Sequence, residues 1–173
     1  LMAPHTTELR AARWAEFEEI ESDEGLWRVP AERMKMHRPH LVPLARQTRS
    51  LVAKLKNITG KSVHLFPGTA PEGFMSNNTM LFALYRMGFH GRTTTHGFRR
   101  LFSTEANENG WNEDWVERQL AHDERNKARA AYNAAQYLKQ RRDMMQWWAD
   151  HLDGLHQAEL AKREGGKGDD QRL

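Results

Sequence analysis

Four residues stand in an order and at spacings that suit the chemistry of phosphate esters. Arg99 follows His96 by three residues, His122 follows Arg99 by 23 residues, and Tyr132 follows His122 by 10 residues. An arginine guanidinium can donate two parallel hydrogen bonds to phosphate oxygens, which a lysine cannot do as well. A phenol has a pKa of ~10 and is a poor nucleophile at neutral pH, so it needs cationic neighbours or a base. The set combines an anion-binding group with groups that can activate a phenol.

Each of these residues also fits an ordinary structural role when it is considered alone. His96 and Arg99 share one face of a predicted helix, where a histidine and an arginine are common surface residues. His122 suits the solvated end of a helix. Tyr132 lies in an alanine-rich stretch that fits a core or an interface, and Tyr137 is a second candidate nucleophile. Only the combination in this order argues for catalysis.

The composition narrows the classes of function. The 173-residue chain has no cysteine, which excludes disulfides, thiolate metal ligands and a cysteine nucleophile, and which suits a cytoplasmic location. No apolar run approaches the ~18 residues of a membrane span. Residues 28–61 hold nine Lys or Arg against the single acid Glu32, although the formal net charge is only +3. Such a block can bind the phosphates of a nucleic acid, or it can simply keep the surface soluble.

Hydrophobic spacing predicts mostly α structure with a small antiparallel β-sheet. Apolar repeats at helical spacing predict helices at residues 8–17, 48–57, 76–87, 96–108, 113–120 and 129–153. Short apolar runs bounded by proline or glycine predict strands at residues 26–30, 41–44 and 63–68, and the acidic residues 18–25 predict a loop. We expect one domain over residues 1–160, a break in the last helix at Gly154, and a disordered tail over residues 161–173.

Taken together, these features resemble the catalytic domain of the tyrosine recombinases, and in particular the prophage integrases of bacteria. In that family a His-x-x-Arg helix is followed by a second His or Trp and then by the tyrosine, at spacings like those found here. The stretch from Trp27 to Leu44 resembles the family's β-hairpin, in which a lysine precedes a Val-Pro-Leu strand, and Lys35 stands at the matching position. The resemblance covers residues 5–155 and implies a tyrosine recombinase catalytic-domain fold.

The resemblance implies DNA strand cleavage and rejoining through a 3′-phosphotyrosyl intermediate. Tyr132 is the implied nucleophile, Arg99 and His122 stabilise charge on the phosphate, and Lys35 protonates the leaving 5′ oxygen. His96 positions the phosphate or assists proton transfer. Because the phosphotyrosyl bond keeps the energy of the phosphodiester, no cofactor is implied. The implied partners are double-stranded DNA attachment sites, further copies of the chain in a tetramer on DNA, and directionality and DNA-bending factors.

The first catalytic arginine of the family has no counterpart at its expected position. The family pattern is like Arg-x-x-Glu-Leu, and here Glu8 and Leu9 fit, but His5 occupies the position of the arginine. A histidine lacks the guanidinium fork and is mostly neutral above pH ~6.5. The alternatives are an enzyme in which His5 substitutes in part, a DNA-binding remnant that has lost catalysis, and a position that was changed deliberately.

Other interpretations concern the class of the protein. One alternative is a strand-nicking enzyme like the type IB topoisomerases, which uses the same catalytic groups. Another is a helical interaction module in which the motifs occur by coincidence. His37 and His40 have a metal-ligand spacing, but no acidic cluster or His-Glu-x-x-His motif accompanies them, so no metal site is predicted. The family's upstream DNA-binding domains have no room before Leu1, so we expect a catalytic-domain fragment.

Overall fold

The computed structural model describes residues 1–122 and 136–166 of the chain. The helices are α1 (Thr6–Arg10), α2 (Arg46–Thr59), α3 (Thr79–Leu84), α4 (Thr95–Glu108), α5 (Glu113–Gln119) and α6 (Leu138–Gly166). Single 3-10 turns cover Trp14–Glu16 and Ala31–Arg33, and a π turn covers Tyr85–Phe89. The strands are β1 (Phe17–Glu18), β2 (Leu26–Val29) and β3 (His40–Pro43). The described part of the chain is therefore mostly α with a small sheet, which confirms the predicted fold class.

The sheet is antiparallel in the order β1–β2–β3 and confirms the predicted pairing of residues 26–30 with residues 41–44. Trp27 and Val29 are fully buried while Arg28 between them is exposed, which is the alternation of a sheet with one covered face. The Trp27 ring stacks on Phe17 of β1 with ring centroids 5.5 Å apart. The connection between β2 and β3 carries Lys35.

Local capping fixes where α4 begins, one residue before the predicted start. The side chain of Thr94 accepts a hydrogen bond from the backbone N–H of Gly97 at 3.2 Å, which satisfies one of the free donors of the first turn. A Cβ at Gly97 would lie 2.7 Å from the hydroxyl of Thr93, so a glycine lets this threonine-rich turn close up. The helix thus presents His96 in its first turn and Arg99 one turn later.

Two clusters of buried apolar residues hold the elements together. The sheet cluster consists of Ala12, Trp27, Val29, Met34, Val42, Leu44 and Leu65. The helix cluster consists of Phe102, Ala106, Val116, Leu120, Met144, Met145 and Trp148.

At two places in the chain, consecutive residues pack against different clusters. We call the boundary between the two clusters at these places the seam. Met2 packs against the sheet cluster and Ala3 against the helix cluster. Leu120 belongs to the helix cluster, whereas Ala121 packs against the sheet cluster. Arg99, described below, bonds to both of the segments that cross this seam.

The predicted helix 8–17 is confirmed only as far as Arg10, and the predicted strand 63–68 is wrong, for one shared reason. The helix ends at Arg10, because the backbone between residues 12 and 14 bonds to a distant segment instead. Leu65 N–H donates to Ala12 at 2.9 Å, and Trp14 N–H donates to Val63 at 3.1 Å. The distant segment forms only isolated bridges, and Pro67 lacks a donor for a longer ladder. Tertiary pairing overrides the local pattern on both sides.

The acidic stretch and the end of the chain also depart from the predictions. Glu18 in β1 pairs with Leu26 in β2, so the loop predicted at residues 18–25 begins one residue later. Gly154 does not break the last helix, because an exposed glycine costs only about 1 kcal/mol there. The same helix continues to Gly166, six residues into the predicted tail, and an ion pair between Glu159 and Arg163 supports it. Residues 167–173 lie outside the described residues. Within the described ranges no helix is long and apolar enough to cross a membrane.

Candidate active site

Arg99 is the buried centre of the candidate site. It lies on α4 with 8% of its surface exposed. Its Nη1 donates to the carbonyl of Ala3 at 2.8 Å, and its Nη2 donates to the carbonyl of Leu120. These two carbonyls come from the two segments that meet at the seam. One guanidinium therefore links the start of the chain, α4 and the end of α5.

The electrostatic surroundings of Arg99 keep it charged. Burial lowers its pKa from the ordinary value, while the carboxylates of Glu8 and Glu117 raise it. An arginine keeps its proton far above neutral pH, and the two carboxylates favour its charged form. Arg99 is the buried positive charge around which the other candidates are arranged.

His5 and His96 lie next to each other at the start of α1 and α4. Their ring centroids are 6.5 Å apart in an edge-on arrangement, and both side chains are exposed. The hydroxyl of Thr6 donates to the hydroxyl of Thr95 at 3.4 Å, which brings the first turns of the two helices together. The structure therefore places His5 beside the His-x-x-Arg helix, on the side from which solvent reaches it.

His122 stands where α5 ends and the chain changes direction. Ala121 adopts a positive φ of 51°, and the backbone N–H of His122 donates to the carbonyl of Glu117 at 3.1 Å. The Nδ1 atom of the His122 ring lies 2.9 Å from a carboxylate oxygen of Glu117. The carbonyl of Leu120 accepts a hydrogen bond from Arg99, and His122 stands two residues after Leu120. The backbone that carries His122 is therefore held close to the buried cation.

Lys35 is exposed and stands apart from this group. It lies in a turn in which the N–H of His37 donates to the carbonyl of Met34 at 3.0 Å, and His37 has a φ of 50°. Within the described ranges Lys35 makes no hydrogen bond or ion pair. The structure brings His5, His96, Arg99 and His122 together, whereas it links Lys35 to them only through a neighbour.

That neighbour is Arg33, a residue that the sequence did not single out. Its Nη2 donates to the carbonyl of Glu8 on α1, and its Nη1 donates to the carboxylate of Glu16. Glu16 is 7% exposed and also accepts a hydrogen bond from the indole of Trp27 at 2.9 Å. The position of Glu16 between the aromatic residues 14 and 17 is a signal that its side chain could be buried, but nothing in the sequence indicates its partner.

Tyr132 lies outside the described residues, so its predicted role stays a prediction. The segment that contains it, residues 123–135, has both of its described flanks held by Arg141, another residue that the sequence did not single out. Arg141 is fully buried; its Nε donates to the side chain of Gln119 at 3.1 Å, and its Nη1 donates to the carbonyl of Gln136 at 3.1 Å. A third bond reaches the carbonyl of Leu41 on β3.

His40 completes this buried polar group. Its Nε2 donates to the carbonyl of Gln119 at 3.1 Å. Burial, and then the charge of Arg141, lower the pKa of His40 to about 3, so the ring is neutral at pH 7. Burial also lowers the pKa of Arg141, to about 9, and this still leaves the guanidinium charged. Over residues 1–122 and 136–166 no three His, Asp or Glu side chains cluster as metal ligands.

Comparison with known proteins decides the family. The model of the phage integrase family matches residues 6–139. The chain belongs to the phage integrase family. It is 45% identical over 165 residues to the integrase of Enterobacteria phage P4, covering 86% of this chain and 37% of that protein. The prophage integrases IntZ and IntA of Escherichia coli (strain K12) are 44% and 42% identical over 156 and 144 residues. These alignments cover 90% and 83% of this chain, but 38% and 34% of the relatives.

The range matched by the family model contains all of the candidate catalytic residues except His5. As an integrase-family segment, the chain spans little more than a third of the length of these relatives. The matched range contains Lys35, His96, Arg99, His122 and Tyr132, but it begins at the residue after His5. No solved structure matches the chain significantly.

Proposed function

We propose that this integrase-family chain is the catalytic part of a site-specific DNA recombinase that cuts and rejoins strands through a phosphotyrosine. The observation that carries the proposal is the burial of Arg99 at the seam, with the His5–His96 pair on one side and the His122 turn on the other. A fixed cation with histidines on the neighbouring segments suits a phosphate that gains negative charge in the transition state. Burial separates Arg99 from the surface arginine that a coincidental His-x-x-Arg on an exposed helix face would show.

In the proposed reaction the phenol oxygen of Tyr132 forms a bond to phosphorus as the bond from phosphorus to the 5′ oxygen breaks. The phenol proton leaves to water or to His96, and the ammonium of Lys35 gives a proton to the departing 5′ oxygen. Arg99 and His122 stabilise the charge on the non-bridging oxygens. The reverse step, with the hydroxyl of another strand as nucleophile, completes strand exchange without a cofactor. Four protomers on two duplexes, with directionality and DNA-bending factors, are the proposed assembly.

A second candidate is a DNA-binding domain that has lost catalysis. Two observations favour it. His5 stands where the resemblance calls for an arginine, and the guanidinium of Arg99 is bonded to two backbone carbonyls. On the first proposal the remaining N–H groups of the Arg99 guanidinium bond to the phosphate when DNA binds; on the second they make no bond to a reacting phosphate.

Formation of a covalent adduct separates the two candidates. The substrate is a pool of nicked duplexes with randomised sequence around the nick. Cleavage close to the nick releases a short 5′-hydroxyl fragment that diffuses away, so the strand cannot be rejoined and the covalent intermediate accumulates. The active enzyme gives a protein–DNA band on a denaturing gel that disappears in Tyr132→Phe and persists in the matched control Tyr137→Phe. A band that survives in Tyr132→Phe and vanishes in Tyr137→Phe reassigns the nucleophile. Retained binding with no band in any protein favours the inactive remnant.

A further inference from the structure

The loop that carries Lys35 is fastened to the rest of the protein by Arg33. Arg33 is the last residue of the 3-10 turn and stands two positions before Lys35. Its guanidinium bonds to the carbonyl of Glu8 and to the carboxylate of Glu16. The side chains of Arg33 and Glu16 are 15% and 7% exposed, so the pair is largely withdrawn from water. Such a pair is held in one geometry more firmly than a surface ion pair.

The partners of Arg33 are themselves fixed to the candidate site. The carboxylate of Glu8 accepts a hydrogen bond from the backbone N–H of His5 at 2.9 Å, while its carbonyl accepts from Arg33. Glu16 accepts from the indole of Trp27 on β2 at 2.9 Å. One guanidinium therefore joins the Lys35 loop to α1 and to the sheet at the same time. The compact ammonium of a lysine has no fork with which to make both contacts.

Beyond this point the loop has few restraints of its own. Met34 packs into the sheet cluster, and the following residues 35–39 are all exposed. A lysine side chain is a flexible stem with many rotamers. Where the ammonium of Lys35 can reach is therefore decided by where the backbone just before it is held, and Arg33 and Met34 are the nearest buried anchors.

We infer that Arg33 and Glu16 form a positioning pair for Lys35: they set where its ammonium stands relative to the DNA phosphate, without touching the substrate. The inference rests on the proposed function, in which Lys35 protonates the 5′ oxygen as it leaves phosphorus. If the pair is lost, Lys35 is still present but is rarely in place to give its proton. The defect should then fall on protonation of the leaving group and spare the other requirements of cleavage.

A sulfur-substituted substrate isolates that step. The cleaved sequence is recovered from the nicked pool and remade with sulfur in place of the 5′-bridging oxygen. A thiolate leaves without a proton, because thiols are far more acidic than alcohols. Cleavage of both substrates is measured for the parent chain, Lys35→Ala, Arg33→Met and the control Arg28→Met, in the His5→Arg background if the parent is too slow. Arg28 forms an exposed pair with Glu18 on the same hairpin.

The expected result is a selective defect. Arg33→Met should cleave the oxygen substrate about tenfold or more slowly than the parent, since a general acid contributes at least about a hundredfold. It should cleave the sulfur substrate within about twofold of the parent, as Lys35→Ala should. Arg28→Met should resemble the parent on both substrates. An equal loss on both substrates, no loss on the oxygen substrate, or no rescue of Lys35→Ala by sulfur overturns the inference.

Two further comparisons keep the test decisive. Removal of Arg33 alone leaves the Glu16 carboxylate buried without its counter-charge, so Arg33→Met can fail to fold. The double variant Arg33→Met/Glu16→Gln removes both charges, keeps an acceptor for Trp27, and should show the same selective defect. Failure of the proposed function looks different, because then neither the parent nor His5→Arg forms an adduct with either substrate, and the inference falls with it.

Discussion

At the scale of single residues, the surroundings of Arg99 indicate why a histidine in place of an arginine at position 5 should slow the proposed cleavage strongly. His5 lies beside His96 at the entrance to the site, where a guanidinium could donate two bonds to a phosphate and an imidazole can donate one. The loss of one stabilising donor from a charge-developing site typically costs 10²- to 10³-fold in rate. On the proposed function, the scaffold is in place and one donor group is weakened.

His5→Arg should raise the initial rate of adduct formation by about a hundredfold, because it supplies the missing fork. The measurement is the yield of covalent adduct over time with the nicked pool. His156→Arg is a matched control, since it adds the same charge at an exposed position on α6. Equal rates for the two variants would show that position 5 takes no part in catalysis.

At the scale of elements, the buried group of His40, Gln119 and Arg141 joins β3, α5 and α6 around the ends of the segment that contains Tyr132. Polar groups withdrawn from water contribute only when all of them are bonded. Here one guanidinium serves the side chain of Gln119 and the carbonyls of Leu41 and Gln136.

Arg141→Met should lower the free energy of unfolding by about 3 kcal/mol, because one buried and two partly buried oxygens lose their donor. Removal of a buried charge offsets part of this loss. Urea unfolding followed by circular dichroism gives this value. Arg163→Met is the control, as Arg163 forms an exposed pair with Glu159 on the same helix and should change stability by less than about 0.5 kcal/mol. Similar losses in both variants would contradict the assigned role of Arg141.

The lowered pKa of His40 predicts a loss of stability in mild acid. The folded chain keeps His40 neutral down to about pH 3, whereas the unfolded chain protonates it below its ordinary value of 6.5. The unfolded state therefore binds the additional proton between these limits, and stability falls as the pH drops through that window. His40→Gln keeps a donor for the Gln119 carbonyl but does not titrate. Between pH 7 and pH 5 the parent should lose about 2 kcal/mol more than this variant. Parallel losses would mean that His40 is not the titrating group.

What the sequence could and could not predict follows from the range of the interactions. The hairpin of β2 and β3 and the start of α4 were predictable, because alternation around Trp27 and the cap at Thr94 are local signals. The Arg33–Glu16 and Arg141–Gln119 contacts were not, since two polar residues far apart in the chain carry no sign that they meet. The candidate residues of the site came from motif spacing, whereas the residues that position them came only from the structure.

At the scale of the whole molecule, the basic block of residues 28–61 is less available to DNA than its composition indicates. Four of its arginines pair with acids elsewhere in the protein, namely Arg28 with Glu18, Arg33 with Glu16, Arg46 with Asp150 and Arg49 with Asp23. Lys35 and Arg38 are exposed in the loop that the proposed mechanism brings to the phosphate. Lys54, Lys56 and Lys61 of the block are exposed as well, on or just after α2. On the proposed mechanism, the electrostatic contribution of the block to DNA binding should concentrate in the loop of Lys35 and Arg38.

Arg38→Gln should weaken DNA binding and reduce the slope of log affinity against log salt by about 1, because one fewer phosphate contact releases its counterion. Lys61→Gln, beyond the end of α2, removes the same charge and should leave the slope unchanged. Fluorescence anisotropy with a labelled duplex at several salt concentrations measures both slopes. Equal reductions for the two variants would place DNA over the whole basic block instead.

The most direct test of the central claim is to locate the DNA on the protein after trapping. Trypsin releases residues 130–139 as one peptide, which contains both Tyr132 and Tyr137. After nuclease treatment of the adduct formed by this chain or by His5→Arg, fragment-ion mass spectrometry should find the nucleotide on Tyr132. A nucleotide on Tyr137 or on any other residue, or an unmodified peptide from a protein that still binds duplex DNA, would contradict the claim.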